Sequence, residues 1–474
     1  MVGRMDPKII AYLIIALLVG GSVGYFGDNI LNEPIITPLQ KTVDDLTAKV
    51  ANLTTSLDTL KAQNTLLQES IRSLQDQSLT NKTIKIGYIA PDTKTYAVTK
   101  PYIEKVIKPD LDAYASSLGL NVHFEFVMLD AKGQANTHLE LVQDLHNDGV
   151  DIFIGAGWSS MCCASLSYQN IHHMLAISPS STSPSCAIAN DSMFRMCPAD
   201  SALAPALTEI IWSHGVKEVV LIQRGDSYGD GIVNMFVPEF VALGGVVSQP
   251  IRYEVTDDVV SGNADFCAHL QTGRDMAQAA IARMGGESSR VCVLLIAYDE
   301  AARIIKQASQ CDVLYNLVWF GADATAENGA VIRDSPLEAN HLKLFSPLAQ
   351  KSNTTKYAAL EARFAEATGV TLDIYQAYLY DAAFVLARTI IEVGSYDATK
   401  VAAALPGVCE NTYGVSGWCK LNEYGDRAPP PFDIWYYAPG VVVPSEGHIA
   451  GDYDPDTGVT RWNARTSDFT VQGP

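Results

Sequence analysis

Three hydrophobic patterns follow one another along the chain. Ile9 to Phe26 is an apolar run without a charge, and its 18 residues reach the short end of the roughly 17 to 25 that span a bilayer. From Leu39 the apolar positions recur at alternating spacings of four and three: Leu39, Val43, Leu46, Val50, Leu53, Leu57, Leu60, Leu67, Ile71 and Leu74, with Asn64 at one seam position. This heptad repeat predicts one long helix. From Thr83, short apolar runs alternate with amphipathic stretches, beginning with Ile84 to Ala90 and then Tyr102, Ile103, Val106, Ile107, Leu111, Tyr114 and Leu118. The first is a strand and the second a helix. Further strands are predicted near Val122 to Met128, Asp151 to Gly155, Met174 to Ser178, Val219 to Gln223, Val246 to Ile251, Val291 to Ile296 and Leu317 to Phe320. After Gly394 the pattern shifts to turns and aromatic strands, with Gly414, Gly417, Gly425 and the run Pro429 to Pro431, which predicts closing hairpins.

Arg4 and Lys8 precede the apolar run while Asp28 and Glu33 follow it. The positive-inside bias therefore predicts a single-pass helix in the cell membrane, with the bulk of the chain extracytoplasmic. A cleaved signal peptide is the alternative, Ser22 and Gly24 offering small residues at a processing site. In the heptads Leu holds every d position, while Val43, Val50, Leu57, Asn64 and Ile71 hold a. β-Branched a with Leu at d favours a parallel homodimer, and one buried Asn fixes its register. The strand and helix alternation forces parallel sheets with helices on both faces. The stretch from Leu203 to Phe320 repeats the plan, so the fold class is α/β: two Rossmann-like lobes joined by a hinge, preceded by a transmembrane helix and a coiled coil. The domains are then 1–28 for the cytoplasmic stub and anchor, 29–82 for the stalk, 83–200 with 338–425 for lobe 1, and 201–337 with 426–474 for lobe 2 and a C-terminal extension.

The 474 residues carry 33 Lys and Arg against 53 Asp and Glu, a formal net charge of -20. That excess repels phosphate backbones, and with no basic stripe bearing interleaved aromatics it argues against nucleic acid as a partner. Candidate chemistry lies in the loops after strands, where open α/β sheets bind ligands. After Asp151 to Gly155 comes Ala156-Gly157-Trp158-Ser159-Ser160 at a helix start, whose free N–H groups and two hydroxyls suit a carboxylate. After the next strand, Ser178-Pro179-Ser180-Ser181-Thr182-Ser183-Pro184 is dense in hydroxyls and poor in charge. Hydroxyls both donate and accept, so the two loops can orient both ends of a zwitterion. An ordinary helix N-cap and a Ser/Pro turn would read the same way.

In order and spacing, Ile84 to Tyr437 resembles the branched-chain amino-acid binding proteins of ABC importers, the type I periplasmic solute-binding family related to amino-acid receptor ectodomains. The resemblance runs through Ile84-Lys-Ile-Gly-Tyr-Ile, Gly155 to Ser160, Ile177-Ser-Pro-Ser-Ser-Thr-Ser-Pro184, Phe194-Arg195 with Asp200, Asp226-Ser-Tyr-Gly-Asp-Gly231, Tyr298, Gly321 to Asp323, and Trp418 to Asp426. It implies two lobes that close over a ligand like a hinge. Residue by residue, it implies that Ser159 meets the ligand carboxylate, that Ser180 and Thr182 touch carboxylate and ammonium, and that Asp323 pairs with the ammonium. Asp323 is one methylene shorter than the Glu usual there. Tyr228 and Tyr298 match aromatics of the second lobe. Trp158 stands where the family often has a small residue or Cys, and its bulk is expected to shrink the pocket. Ser160 and Ser181 complete the ligand-binding set. The partners implied are an amino acid or amide and an ABC permease, without a cofactor.

No Gly-x-Ser-x-Gly elbow, phosphate-cradling loop or motif-placed His beside Ser159 is present, so no catalytic residue is assigned and the chain is read as a binding protein, not an enzyme. His172-His173 lacks a further metal ligand, and Asp452-Tyr-Asp-Pro-Asp-Thr-Gly458 has its Gly one place late for a calcium loop. Of the 9 cysteines, Cys409 and Cys419 flank Gly414 in a hairpin-like stretch, and a disulfide between them is expected. Pairing of Cys186 with Cys197, or of either with Cys162 or Cys163, stays open. The expected function is extracytoplasmic capture of an amino acid or similar small polar solute between two lobes for an ABC importer. A ligand-sensing receptor ectodomain and a non-binding surface scaffold are the alternatives.

Overall fold

A computed structural model of the chain describes residues 33–75, 79, 81–438 and 448–463. It divides into two units, Met1–Leu74 and Gln75–Pro474. The described part of the first is one helix, Glu33–Gln75, of 43 residues. It is roughly 65 Å long at about 1.5 Å per residue. No glycine interrupts it, and Pro34 falls in its first turn, where proline is tolerated best, with Pro38 one turn further in. Its seam residues Leu46, Val50, Leu53, Leu57 and Leu60 are each half or more exposed, an apolar stripe along a polar rod. The run Ile9 to Phe26 lies outside the described residues, and among those described no helix is long and apolar enough to cross a membrane.

The second unit contains two parallel sheets. The first holds β1 (Lys82–Ala90), β2 (Val122–Asp130), β3 (Ile152–Ile154), β4 (Leu175–Ser178) and β5 (Met193–Arg195) in the order β2-β1-β3-β4-β5. The second holds β6 (Glu218–Arg224), β7 (Val246–Val247), β8 (Ile251–Tyr253), β9 (Val291–Ile296) and β10 (Val318–Gly321) in the order β10-β9-β6-β7, with β8 also on β6. Strands covered by helices on both faces read as unbroken apolar runs, and every residue of β9 is indeed buried. The single stretch predicted from Val246 to Ile251 is two short strands on one edge of β6.

Each sheet has one point where its strand order reverses: β1 against β3 in the first, β6 against β9 in the second. Helices leave in opposite directions there, which opens a crevice at the carboxyl ends of the strands. The loops that begin at Pro91, Gly155, Gly225 and Ala297 follow these four strands, and the two crevices face one another across one cleft.

A third, antiparallel sheet joins β11 (Ser346–Ala349), β12 (Phe432–Tyr436), β13 (His448–Asp454) and β14 (Val459–Trp462). Phe345 bridges Phe320 beside β10, so this sheet belongs with lobe 2. The return to lobe 1 therefore begins after Ala349 and not at 338, because 346–349 is committed to β12. Helices Thr355–Thr368, Ile374–Val393 and Ala398–Glu410 then pack on the first sheet and its helices. The chain crosses between lobes at 196–199, 350–354 and 428–431.

The expected disulfide is not formed: Cys409 and Cys419 are both free and buried. A tight antiparallel turn does form at Gly414, with Tyr413 bridging Trp418, but it stops short of Cys409, which sits in the last turn of helix Ala398–Glu410. The residue opposite Cys419 is Thr412, whose carbonyl accepts the Cys419 N–H at 3.0 Å.

Candidate functional site

The first-lobe wall is built from two loops laced together. Ala156, at the end of β3, has a positive φ of 53°. Its N–H donates to Nε2 of the buried His138 at 3.0 Å. Burial lowers the pKa of His138 to about 3, so the ring stays neutral and remains an acceptor. Gly157 follows, and a Cβ there would stand 3.2 Å from the Ser180 hydroxyl and 3.3 Å from Pro91. The Ser178 hydroxyl donates to the Ala156 carbonyl at 3.0 Å, and the Ser180 hydroxyl to that of Gly157 at 2.8 Å. Ser159 opens helix Ser159–Ile171, and its hydroxyl oxygen accepts the Ser183 N–H at 3.1 Å.

Behind these loops lies Arg195. Its guanidinium forks onto Asp426, Nε to Oδ1 at 2.5 Å and Nη2 to Oδ2 at 2.7 Å, with both side chains buried. Nη1 donates to the carbonyls of Ser181 at 3.2 Å and Ser183 at 2.7 Å. Drawing the Ser181 carbonyl backward turns the following peptide N–H, that of Thr182, the other way. The hydroxyls of Ser181 and Thr182 are buried and have no hydrogen-bond partner among the described residues.

The second-lobe wall is aromatic and charged. Asp226 caps helix Ser227–Ala242, accepting the N–H groups of Tyr228 and Gly229 at 3.2 Å. Gly229 is required, because a Cβ there would lie 2.1 Å from the Arg224 carbonyl oxygen. Arg224 is held by Asp226 and Glu300, each at 2.7 Å, and its guanidinium lies 3.7 Å from the centre of the Tyr298 ring. Tyr298 stacks on Tyr228 at 4.8 Å, and Trp158 of the first lobe meets Tyr298 at 5.2 Å across the cleft.

Two carboxylates close the inner end. Asp323 follows β10 and accepts the Tyr228 hydroxyl at 2.6 Å and the Tyr375 hydroxyl. Asp200 begins helix Asp200–Ser213; its N–H donates to the Thr182 carbonyl at 2.8 Å, yet neither carboxylate oxygen has a hydrogen-bond partner. Burial raises the pKa of Asp323, and burial with the charge of Asp323 raises that of Asp200 well above the usual carboxylate range. The Thr182 hydroxyl close by offsets part of that rise. Thr182, Asp200, Asp323, Tyr375 and Tyr378 surround a space of about 10 Å³ that adjoins a cleft of about 580 Å³. At the far end of the cleft Asp373 caps helix Ile374–Val393, while Glu327 pairs with Lys351 at 2.6 Å. Burial first, opposed by Lys351, puts the Glu327 pKa at about 7. The lobes also touch at the rim, Lys94 to Asp299 at 3.0 Å and Gln134 to Asp257 at 2.7 Å.

Of the residues singled out in the sequence, Trp158, Ser180, Thr182, Tyr228, Tyr298 and Asp323 line the cleft together. Ser159 and Ser181 are buried behind that wall and Ser160 is half-buried away from it. The Ser159 oxygen already serves the Ser183 N–H, so in this structure it positions the hydroxyl loop. Asp200, noted only as part of a motif, proves to belong to the site, as do Tyr375, Arg224 and Asp373. The signal available for Asp200 was an acidic residue one turn past the buried Arg195.

Facing crevices in two parallel lobes, lined by hydroxyls on one side and aromatics with a carboxylate on the other, define a two-lobed solute-binding protein fold. Residues 112–440 match the receptor family ligand binding region, and the chain belongs to that family. It is similar in structure to a leucine-binding protein, LivK, from Thermotoga maritima, with 20% identity and a TM-score of 0.63 over 79% of this chain and 99% of that one. LivJ from Streptococcus pneumoniae, solved with isoleucine, gives 17% and 0.61 over 78% and 99%. A solute-binding protein from R. palustris, solved with benzoate, gives 18% and 0.61 over 78% and 96%. A curated relative, an uncharacterized protein of Methanocaldococcus jannaschii, is 26% identical over 400 residues, 80% of this chain and 91% of that one.

Proposed function

We propose that this chain captures an amino acid, or a similar small solute carrying an ammonium group, between its lobes and presents it to an ABC permease. The pair Asp200 and Asp323 carries the reading. Two carboxylates are buried side by side, neither is ion-paired among the described residues, and both share a cavity wall with the Thr182 hydroxyl. An uncompensated buried charge is costly, so the site is built for a cation to complete it. A zwitterion supplies the complement at both ends: its ammonium meets the carboxylates, and its carboxylate meets Ser180, Thr182 and the uncapped first turn of helix Ser159–Ile171. A structural neighbour was solved with benzoate, so the case for an ammonium rests on the head-group chemistry of this cleft and not on the fold.

Thermal unfolding of the full-length chain with each amino acid, small amides and urea tests this. At a hundredfold excess over its dissociation constant a true solute adds about 2.7 kcal/mol, which moves the transition by several degrees. A shift confined to ammonium-bearing solutes is expected. A flat response across the panel would leave the surface-scaffold reading ahead.

The same proposal places the protein on the outer face of a membrane, held by the run Ile9 to Phe26 and raised on a parallel two-stranded coil. Support comes from the bare apolar stripe on helix Glu33–Gln75, which repeats on the heptad and carries a polar Asn64 at one a position. Light scattering of the full-length chain in detergent should report a dimer, and Asn64→Leu should change that state, since a lone polar a residue selects two strands. A monomeric chain would end the coil proposal. Retention in membranes after an alkaline wash, lost when residues 9–26 are deleted, is the result expected for the anchor; release of the intact chain would refute it.

A further inference from the structure

The geometry points to a redox cross-link site, Cys163 with Cys186, that staples the two solute loops to each other. The Sγ atoms stand 3.1 Å apart. Cys163 is in the first turns of helix Ser159–Ile171, one turn past Ser159, and Cys186 ends the short turn Pro184–Cys186 that closes the hydroxyl loop. A bond between them would therefore join the segment after β3 to the segment after β4. Those segments are already laced by the Ser180–Gly157, Ser178–Ala156 and Ser183–Ser159 contacts. Cys163 is half-buried while Cys186 is buried.

That difference in access sets the order of events with a low-molecular-weight disulfide as oxidant. The Cys163 thiolate attacks one sulfur of the reagent, a new S–S bond forms and one reagent thiolate leaves. Cys186 then attacks the Cys163 sulfur of the mixed disulfide and releases the second reagent thiolate. Two protein thiols are oxidised, the reagent is reduced to two thiols, and the protons from Cys163 and Cys186 pass to them through water. The S–H···S contact and burial push the Cys163 thiol up, and contact with Cys162 and burial push up Cys186; the Arg195 charge opposes this in both. Only the thiolate attacks, so the reaction should be slow at neutral pH and quicken as pH rises. Cys162, the neighbour of Cys163 on the same helix, is the competing partner for Cys186, whose thiol its proximity pushes up. The cross-link stands on the geometry alone, whereas its effect on solute capture rests on the function proposed above. Joined loops lose less freedom when a solute orders them, so the oxidised form should release solute more slowly.

The test incubates the full-length chain with oxidised glutathione at pH 8.5, unfolds it, alkylates it and counts alkyl groups by intact mass against the reduced chain. The oxidised chain should take up two fewer with no glutathione mass added for them; a thiol blocked as a mixed disulfide, such as exposed Cys267, carries that added mass and is counted separately. Cys163→Ser and Cys186→Ser should each restore those two relative to their own reduced forms, while Cys162→Ser should still lose them. Oxidation should also raise the thermal midpoint by a few degrees in the wild type and in Cys162→Ser only, with the reduced variants confirming that each folds. Equal alkylation before and after oxidation, or a loss that persists in Cys163→Ser at the expense of Cys162, would overturn the assignment. These readouts need no solute, so their failure is distinct from a failure of the solute panel.

Discussion

Asp323→Asn should lower affinity for an ammonium-bearing solute by roughly two to three orders of magnitude, because the loss of a desolvated charged partner costs about 2 to 5 kcal/mol. Isothermal calorimetry on the full-length chain, with the solute identified by thermal unfolding, measures it. Affinity within a factor of three of the wild type would remove Asp323 from the site. Asp200→Asn should weaken binding in the same direction, and its effect on the protein without solute has the opposite sign. Both carboxyls titrate above the usual aspartate range when folded, through burial and, for Asp200, the charge of Asp323. The folded state then holds protons that the unfolded chain has already released, so stability is full below about pH 4 and falls as pH rises through the raised values. Asp200→Asn should flatten that fall, read as thermal midpoints from pH 4 to 8, and an unchanged slope would show that Asp200 is not the group responsible.

Arg195→Ala should destabilise the protein by about 3 to 5 kcal/mol, the usual cost of breaking a buried ion pair from one side. Asp426 would be left charged and buried, and the carbonyls of Ser181 and Ser183 would lose their donor. Arg195→Lys should recover only part of the loss, since an ammonium cannot reproduce the fork. The double variant Arg195→Ala with Asp426→Ala should be more stable than Arg195→Ala alone, because no unpaired charge remains. Urea midpoints give all three comparisons, and a double variant below the single one would contradict this account of the loss.

The parallel sheets were legible because their strands are buried on both faces, which writes Val291 to Ile296 as an unbroken apolar run too short for a typical helix. Helix Ala398–Glu410 was not. Pro406 and Gly407 read as breakers, while the buried Val401, Leu405 and Val408 that hold the helix down become visible only with the sheet beneath them. At the site, the hydroxyl loop declared itself by composition and by its place after a strand, whereas Asp323 was reached only through the family resemblance. Tyr375 did not, since a tyrosine on a helix has many uses and only the fold brings it to Asp323, 52 residues away. Ser159 illustrates a different limit: the spacing puts a serine at the helix start whichever way its hydroxyl turns, and the choice is made by Ser183 from another loop.

The rim contacts between the lobes bear on how long a captured solute stays. Lys94 and Asp299 keep 63% and 49% of their side-chain surface in water, so their pairing is worth at most about 1 kcal/mol and is screened by salt. That ion pair adds little to the Trp158–Tyr298 ring contact and the Gln134–Asp257 hydrogen bond that also join the lobes, and on the proposed function a bound solute adds further closing free energy. Dwell time then tracks the fit of the solute, and a poor fit is let go before it travels anywhere. Strengthening the rim would lengthen the hold on every solute alike, and a carrier that must hand over its load would turn over more slowly for it.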